Sequence, residues 1–444
     1  MKQILITAMH SGAGKTVITC ALLAALKKRG VDVHAFKCGP DYIDPMFHTE
    51  VLGVPSRNLD LYLQGIDAVR SSVALHGGEL AVLEGAMGYY DGVNGSAEAS
   101  AWAVADVLAC PAVLVVQPQG NALTLAAQIK GLKVFRPESH FAGVLFNGCK
   151  ESLACFLKHV IERETGLPVL GFLPPMEEAA LESRHLGLLT AGEIEDLSAR
   201  FSVLSEQLEK TVDLDALLDL AGEYEAQRPE QKKPRQRCTI AVVKDEAFCF
   251  TYADSLDALR NAGAKLVFFS PIRDHAIPDG ADGLYLCGGY PELHARQLSE
   301  NTAMRQSICS AVSSGMPTVA ECGGFLYLQQ ALEDVNGDRF PMCGALPGAG
   351  FRTNALQRFG YLWLTAEEDS LLFRKGERIP AHEFHYWDCT ENGSDLLAEK
   401  PNGKTWRCGF VGKTLYAAFP HLHLGGELPL SRRFAEACVK YADA

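Results

Sequence analysis

Residues 4–16, ILITAMHSGAGKT, run from an apolar, β-branched strand into a glycine-rich turn and on into a long helical stretch. Glycines at 12 and 14 let the backbone curl around an anion with its N–H groups pointing inward, and the start of the helix adds its positive dipole end. Lys15 follows, in reach of β- and γ-phosphates, and then Thr16, whose hydroxyl suits Mg²⁺. The plain alternative is a chance glycine-rich turn. The place of GAGKT, after the first strand and before a long helix, favours a nucleoside-triphosphate loop with Gly12, Gly14, Lys15 and Thr16 as nucleotide ligands. The full GxxxxGK[ST] pattern is broken at its first position, where Met9 stands.

Outward from this loop the same grammar repeats. DVHAFKCGPD, LAVLEGA, AVLVVQP and FAGVLFNG are apolar runs, each followed by helix-like sequence. Continuous apolar strands alternating with helices predict a parallel sheet covered on both faces, with ligands beyond the carboxyl ends of the strands. Glu84 ends one such strand and is placed to hold Mg²⁺. Lys37, Asp41 and Asp44 cluster in the loop after another, suited to bind metal and activated substrate together. Read blandly, these are a solvated acid and a Gly/Pro/Asp turn.

Residues 223–237, EYEAQRPEQKKPRQR, are charged, hold two prolines and have no apolar face, so they read as a linker. The alternation restarts behind it with TIAVVKD, KLVFFSP, GLYLCGGYPE and PTVAECGG. The expected organisation is a domain over 1–222, a linker over 223–237 and a second α/β domain over 238–444. In the second domain, VAECGGFLYL (319–328) has the layout of a nucleophile elbow: a strand, a sharp turn carrying Cys322, and a helix. The N–H of Gly323, with Gly288 and Gly289 after the GLYLC strand, could hold an oxyanion. A thiol needs a base at neutral pH. FPHLHL supplies His421 and His423; two residues apart on a strand they face one side, so one can act as base and the other as its orienting partner. HEFHYW (382–387) lacks the HExxH spacing of a metalloprotease.

Composition excludes several classes. Apolar residues make up 48% of the 444, enough for full cores. Lys plus Arg is 41 against 54 for Asp plus Glu, so a formal charge of −13 argues against a nucleic-acid surface. No run approaches the roughly 20 apolar residues of a membrane span, and no secretory signal is visible. The 14 cysteines are scattered without CxxC pairs, as expected of reduced thiols in the cytoplasm.

SGAGKT, FKCGPDYIDP, RNLDLYL, LEGAMGYYDG, ESRHLGL, FFSPIRD, LCGGYPE, AECGGFLYL, HEFHYW and FPHLHL occur in this order along nearly the whole chain. Together they resemble the cobyrinic acid a,c-diamide synthase family. The resemblance implies an α/β fold: an N-terminal P-loop doubly wound parallel sheet like dethiobiotin synthetase, binding ATP and corrinoid, and a C-terminal class I glutamine amidotransferase-like domain. It implies an ATP- and glutamine-dependent ligase that amidates the a and c acetates of a corrin-type macrocycle in cobalamin biosynthesis. Cys322 matches the glutamine-cleaving nucleophile and His421 its activating histidine. His423 stands where ordinary class I enzymes carry the Glu of His-x-Glu. Asp41, Tyr42, Asp44 and Glu84 would surround metal, phosphate and the corrinoid carboxylate, with Thr16, Asp41 and Glu84 assigned to the metal and Lys37, Tyr42 and Asp44 to the substrate, and Asn147 would contact adenine. Gln117, Gly148 and Pro175, with Met9, depart from the family pattern around the nucleotide.

The expected cofactors are Mg²⁺ and ATP as co-substrate. The expected partners are ATP, glutamine and a corrinoid or related tetrapyrrole acid, with no nucleic acid and no membrane; a second copy of the chain is the macromolecular candidate. An enclosed route for ammonia between the two centres is expected. Hydrogenobyrinic acid and nickel-sirohydrochlorin remain rival acceptors. A rival of another class is a P-loop ATPase switch with an inert amidotransferase domain.

Overall fold

The computed structural model describes residues 1–118, 120–176, 197–225 and 235–444. The motif ESRHLGL (182–188) and residues 226–234 of the expected linker lie outside them. The chain divides into two compact units, one of residues 1–61 and 65–230, the other of residues 62–64 and 231–444.

In the first unit, β1 (Lys2–Ala8), β2 (Val33–Cys38), β3 (Ser56–Leu59), β4 (Leu80–Glu84), β5 (Ala112–Val116), β6 (Phe141–Asn147) and β7 (Val169–Leu173) form a parallel sheet in the order β3-β2-β4-β1-β5-β6-β7. Residues such as Leu5, Phe36, Leu83 and Leu114 are fully buried in its core. Helix α1 (Lys15–Lys28) starts at Gly14 in the left-handed region, φ 90°, a conformation open chiefly to glycine. β1 lies between β4 and β5, so the loop that follows it opens at the carboxyl edge of the sheet, beside Glu84 at the end of β4. The linker expected from residue 223 begins inside this sheet: β8 (Gly222–Glu223) pairs antiparallel with Lys2 and Gln3.

The second unit holds a six-stranded sheet in the order Ala264–Phe269, Cys238–Val243, Gly283–Leu286, Thr318–Glu321, Leu415–Ala418, Phe410–Val411, parallel except for its last pair. The strands read from the sequence are present. A second, mostly antiparallel sheet was not foreseen. It is built on the long strands Ala349–Ala366 and Arg378–Cys389, and the latter carries HEFHYW. The elbow helix Gly323–Leu328 packs tightly on the parallel sheet, because a Cβ at Gly324 would come within 2.2 Å of the Leu286 carbonyl oxygen. Among the described residues no helix is long and apolar enough to cross a membrane.

Candidate active sites

The first site lies at the phosphate loop. Gly12 (φ 78°) and Gly14 turn the backbone, and a Cβ at Gly14 would meet Asn147 Nδ2 at 1.9 Å. The same Asn147 amide donates to the Ala13 carbonyl at 3.1 Å, so the end of β6 braces the loop. Lys15 Nζ donates to the carbonyls of His10 (3.1 Å) and Met87 (2.5 Å), which hold it over the loop.

Below the loop the polar groups interlock. Thr16 Oγ1 donates to Glu84 Oε1 at 2.7 Å and lies 3.4 Å from Asp44 Oδ2. Lys37 Nζ bridges Glu84 (2.9 Å) and Asp44 (2.5 Å), and His48 Nε2 lies 3.3 Å from Glu84 Oε2. Burial by itself would raise the Glu84 carboxyl, but Lys37 and His48 outweigh it and hold it well below the usual range. Asp44 moves the other way, raised by burial and then by the charge of Glu84. The two carboxylates sharing one ammonium are thus shifted in opposite directions. Asp41 uses Oδ1 to accept from the N–H groups of Ile43 (2.7 Å) and Asp44 (3.3 Å), which shapes the turn that presents Asp44; Tyr42 lies half-buried within that turn. His48 is a member of this cluster that sequence reasoning missed, because its turn carries no motif.

The donor set of hydroxyl and carboxylate oxygens is the kind Mg²⁺ takes. Glu84 Oε2 is buried and faces His48 Nε2, at 3.3 Å, so it can turn to a cation. The residues therefore fit the ion, with Lys37 presently neutralising the acids it would bind.

Burial, and then the charge of Lys37, lower the Lys15 ammonium to about 8. Anionic phosphate binds the protonated form and pulls that value back up. Above about pH 8 nucleotide binding must therefore take up a proton, and log Kd for ATP should climb with a slope approaching one per pH unit. Calorimetry in buffers of different ionisation enthalpy at about pH 9 measures the uptake directly. A flat Kd between about pH 7 and 9 would contradict it.

The second site forms around Cys322. The residue follows the strand Thr318–Glu321 with φ 48° and ψ −102°, a strained conformation for a residue with a side chain and the signature of an elbow. Its N–H is held by the Ala418 carbonyl at 2.8 Å. Gly288 and Gly289, expected in a turn, form a two-residue strand paired with Phe248 and Phe250, and it lies close to both His421 and the elbow: a Cβ at Gly288 would come within 2.4 Å of His421 Cε1, and one at Gly323 within 3.1 Å of Gly289 N. The segment thus needs glycine for close approach, and the Gly289 nitrogen lies beside Gly323 of the elbow. Burial, then the charges of Glu292 and Glu383, push the Cys322 thiol up, so at rest it keeps its proton and needs a base.

His421 lies on the two-residue strand His421–Leu422, opposite His382, and its Nδ1 is 3.8 Å from Glu321 Oε2. His423 does not take the orienting role expected of it. Its ring packs on Tyr252 with centroids 4.8 Å apart, and neither ring nitrogen has a hydrogen-bond partner. The strand ends at Leu422, so two-residue alternation no longer governs position 423. Burial lowers the His423 imidazole to about 4, in keeping with a neutral packing residue.

Three further residues at this site lie inside the quoted motifs LCGGYPE and HEFHYW, but sequence reading assigns none of them a role. Glu292, after the Gly-Gly segment, is raised to about 7 by burial. Glu383 forms ion pairs with Arg358 (3.3 Å) and His385 (2.8 Å). His382 is lowered to about 3, by burial and then by its neighbour His421.

Two family models match the chain, that of the CobQ/CobB/MinD/ParA nucleotide binding domain over residues 4–188 and that of the CobB/CobQ-like glutamine amidotransferase domain over residues 239–428. Relatives called cobyrinate a,c-diamide synthase align along almost all of it. The protein of Clostridium tetani is 37% identical over 444 residues, covering 98% of this chain and 100% of that one. The protein of Caldanaerobacter subterraneus is 36% identical over 445 residues, 98% of each chain. The protein of Listeria innocua is 39% identical over 437 residues, 95% of this chain and 96% of that one.

Proposed function

The chain belongs to the cobyrinate a,c-diamide synthase family, and from that premise we propose that it amidates the a and c acetate carboxylates of cobyrinic acid, using ATP and ammonia drawn from glutamine. The observation that carries this reading is the strained Cys322 elbow, joined in one polypeptide to a phosphate loop whose floor is Thr16, Glu84 and Asp44.

In the glutamine half, His421 takes the thiol proton as Cys322 sulfur attacks the side-chain amide carbon of glutamine. The N–H groups of Gly289 and Gly323 hold the oxyanion, each worth roughly 3–4 kcal/mol in such sites. The proton passes from His421 to the departing nitrogen, ammonia leaves, and water cleaves the thioester to release glutamate. In the synthetase half, the γ-phosphoryl group moves from ATP to a carboxylate oxygen of the acceptor, ADP leaves, and ammonia displaces phosphate from the acyl phosphate to give the amide. Lys15 bears on the moving phosphoryl group, and Asn147 braces the loop against the nucleotide. Thr16, Glu84 and Asp44 would hold Mg²⁺, which supplies charge neutralisation on the phosphates. Lys37, released from the acids, is then free to receive the acceptor's carboxylate, and Tyr42 flanks it. The 14 cysteines, scattered without CxxC pairs, support a reducing, cytoplasmic setting.

Mass spectrometry after incubation with ATP, Mg²⁺ and glutamine tests the acceptor. Cobyrinic acid, hydrogenobyrinic acid and nickel-sirohydrochlorin are offered separately. The expected product is the diamide of cobyrinic acid, with one glutamate and one ADP formed per amide. Diamide from only one of the other two macrocycles would replace the acceptor named here. ATP turnover with no glutamate released would favour the switch-type rival.

A further inference from the structure

We infer that Glu321, the residue immediately before the nucleophile, is the carboxylate that positions His421. The inference rests on the glutaminase reading of Cys322 and His421 and assigns the acid that orients the base. A histidine base works best when an acid holds its far nitrogen, fixing the tautomer and stabilising the imidazolium formed as the thiol gives up its proton. Position 423 provides no such acid, and its histidine makes no hydrogen bond.

Glu321 has the place, the fixity and the charge. It is 1% exposed, at the end of the otherwise apolar strand Thr318–Glu321. A buried carboxylate there is costly unless its oxygens are satisfied. Oε1 accepts from the Leu422 N–H at 2.9 Å, which clamps the residue next to His421. Oε2 accepts from the Tyr285 hydroxyl at 3.1 Å and faces His421 Nδ1 at 3.8 Å. That last distance is an ion-pair separation rather than a hydrogen bond, and such contacts in empty sites commonly tighten when substrate binds. Both partners of the carboxylate are neutral donors, so its charge remains available to the imidazole. With Nδ1 facing Glu321, Nε2 is left to take the thiol proton. His382, on the paired strand, also faces His421, and burial keeps it neutral. One strand therefore delivers both the nucleophile and the acid that orients its base.

The test uses the full chain with Glu321→Gln, which keeps an acceptor oxygen for the Leu422 N–H while removing the charge, and Glu321→Asp, which keeps the charge. Glutamate release and amidation are measured with glutamine, and amidation is measured with ammonium salts. Expected for Glu321→Gln is a kcat for glutamate release lower by roughly 10²- to 10⁴-fold, as when an orienting carboxylate is neutralised elsewhere. The glutamine KM stays within about twofold, ammonia-driven amidation stays at the wild-type rate, and Glu321→Asp recovers part of the loss. Wild-type glutamate release by Glu321→Gln overturns the assignment. So does joint loss of the glutamine- and ammonia-driven rates, which marks a structural role. Absence of glutamate release from the wild-type protein would instead overturn the glutaminase reading itself.

Discussion

Cys322→Ala is expected to abolish glutamine-dependent amidation while leaving ammonia-dependent amidation at the wild-type rate. The loss should be on the order of 10⁶-fold in glutamate release, the scale seen when a nucleophile that acts as a unit with its base is removed. The physical ground is the separation of roles. Cys322 is buried within the second unit, whereas the groups that hold the phosphate loop belong to the first. Alanine also fits the site: a buried thiol becomes a methyl, and the φ of 48° is as strained for one residue as for the other. Steady-state assays with glutamine and with ammonium chloride, run side by side, decide the matter. If both nitrogen sources fail together, the two centres are not independent and the division of labour proposed here is wrong.

Lys15→Met should produce the opposite pattern, loss of amidation with either nitrogen source. Lys15 is the cation of the loop, 7% exposed and held by the carbonyls of His10 and Met87 until phosphate replaces them. Methionine keeps the length and the apolar stem but removes the charge that offsets the moving phosphoryl group. A group of this kind contributes on the order of 10³- to 10⁵-fold in phosphoryl transfer. ATP-dependent product formation with ammonia as nitrogen source isolates the step, because the thiol centre is then bypassed. Near-normal turnover by Lys15→Met would remove this lysine from the chemistry and point to Lys37 as the working cation.

The parallel sheets and both motif-bearing turns were legible because their causes are local. An apolar run such as AVLVV can bury both faces only inside a covered sheet, and Gly14 at φ 90° is required by the turn it makes. The long antiparallel pair was not legible. Its strand Ala349–Ala366 carries Arg352 and Arg358 and breaks register twice, so the two-residue alternation that would announce it is lost. HEFHYW looked like a failed metal motif for the same reason. Its spacing matched no known ligand set, while its strand partner, which sets His382 opposite His421, is remote in sequence.

His423 shows where pattern reasoning ends. The alternation rule holds only while the strand continues, and this strand is two residues long. Glu321 shows the converse. It sits next to the nucleophile in the chain, yet its meaning depends on an imidazole and an N–H about a hundred residues away. By itself the sequence determined two phosphate- and thiol-bearing turns on α/β sheets, since turn geometry and strand burial follow from contiguous residues. Only the tertiary structure decided which charges meet, that Asp44 and Glu84 share Lys37 and that His421 faces Glu321. Those pairings arise from burial and through-space Coulomb energy between residues that the chain keeps far apart.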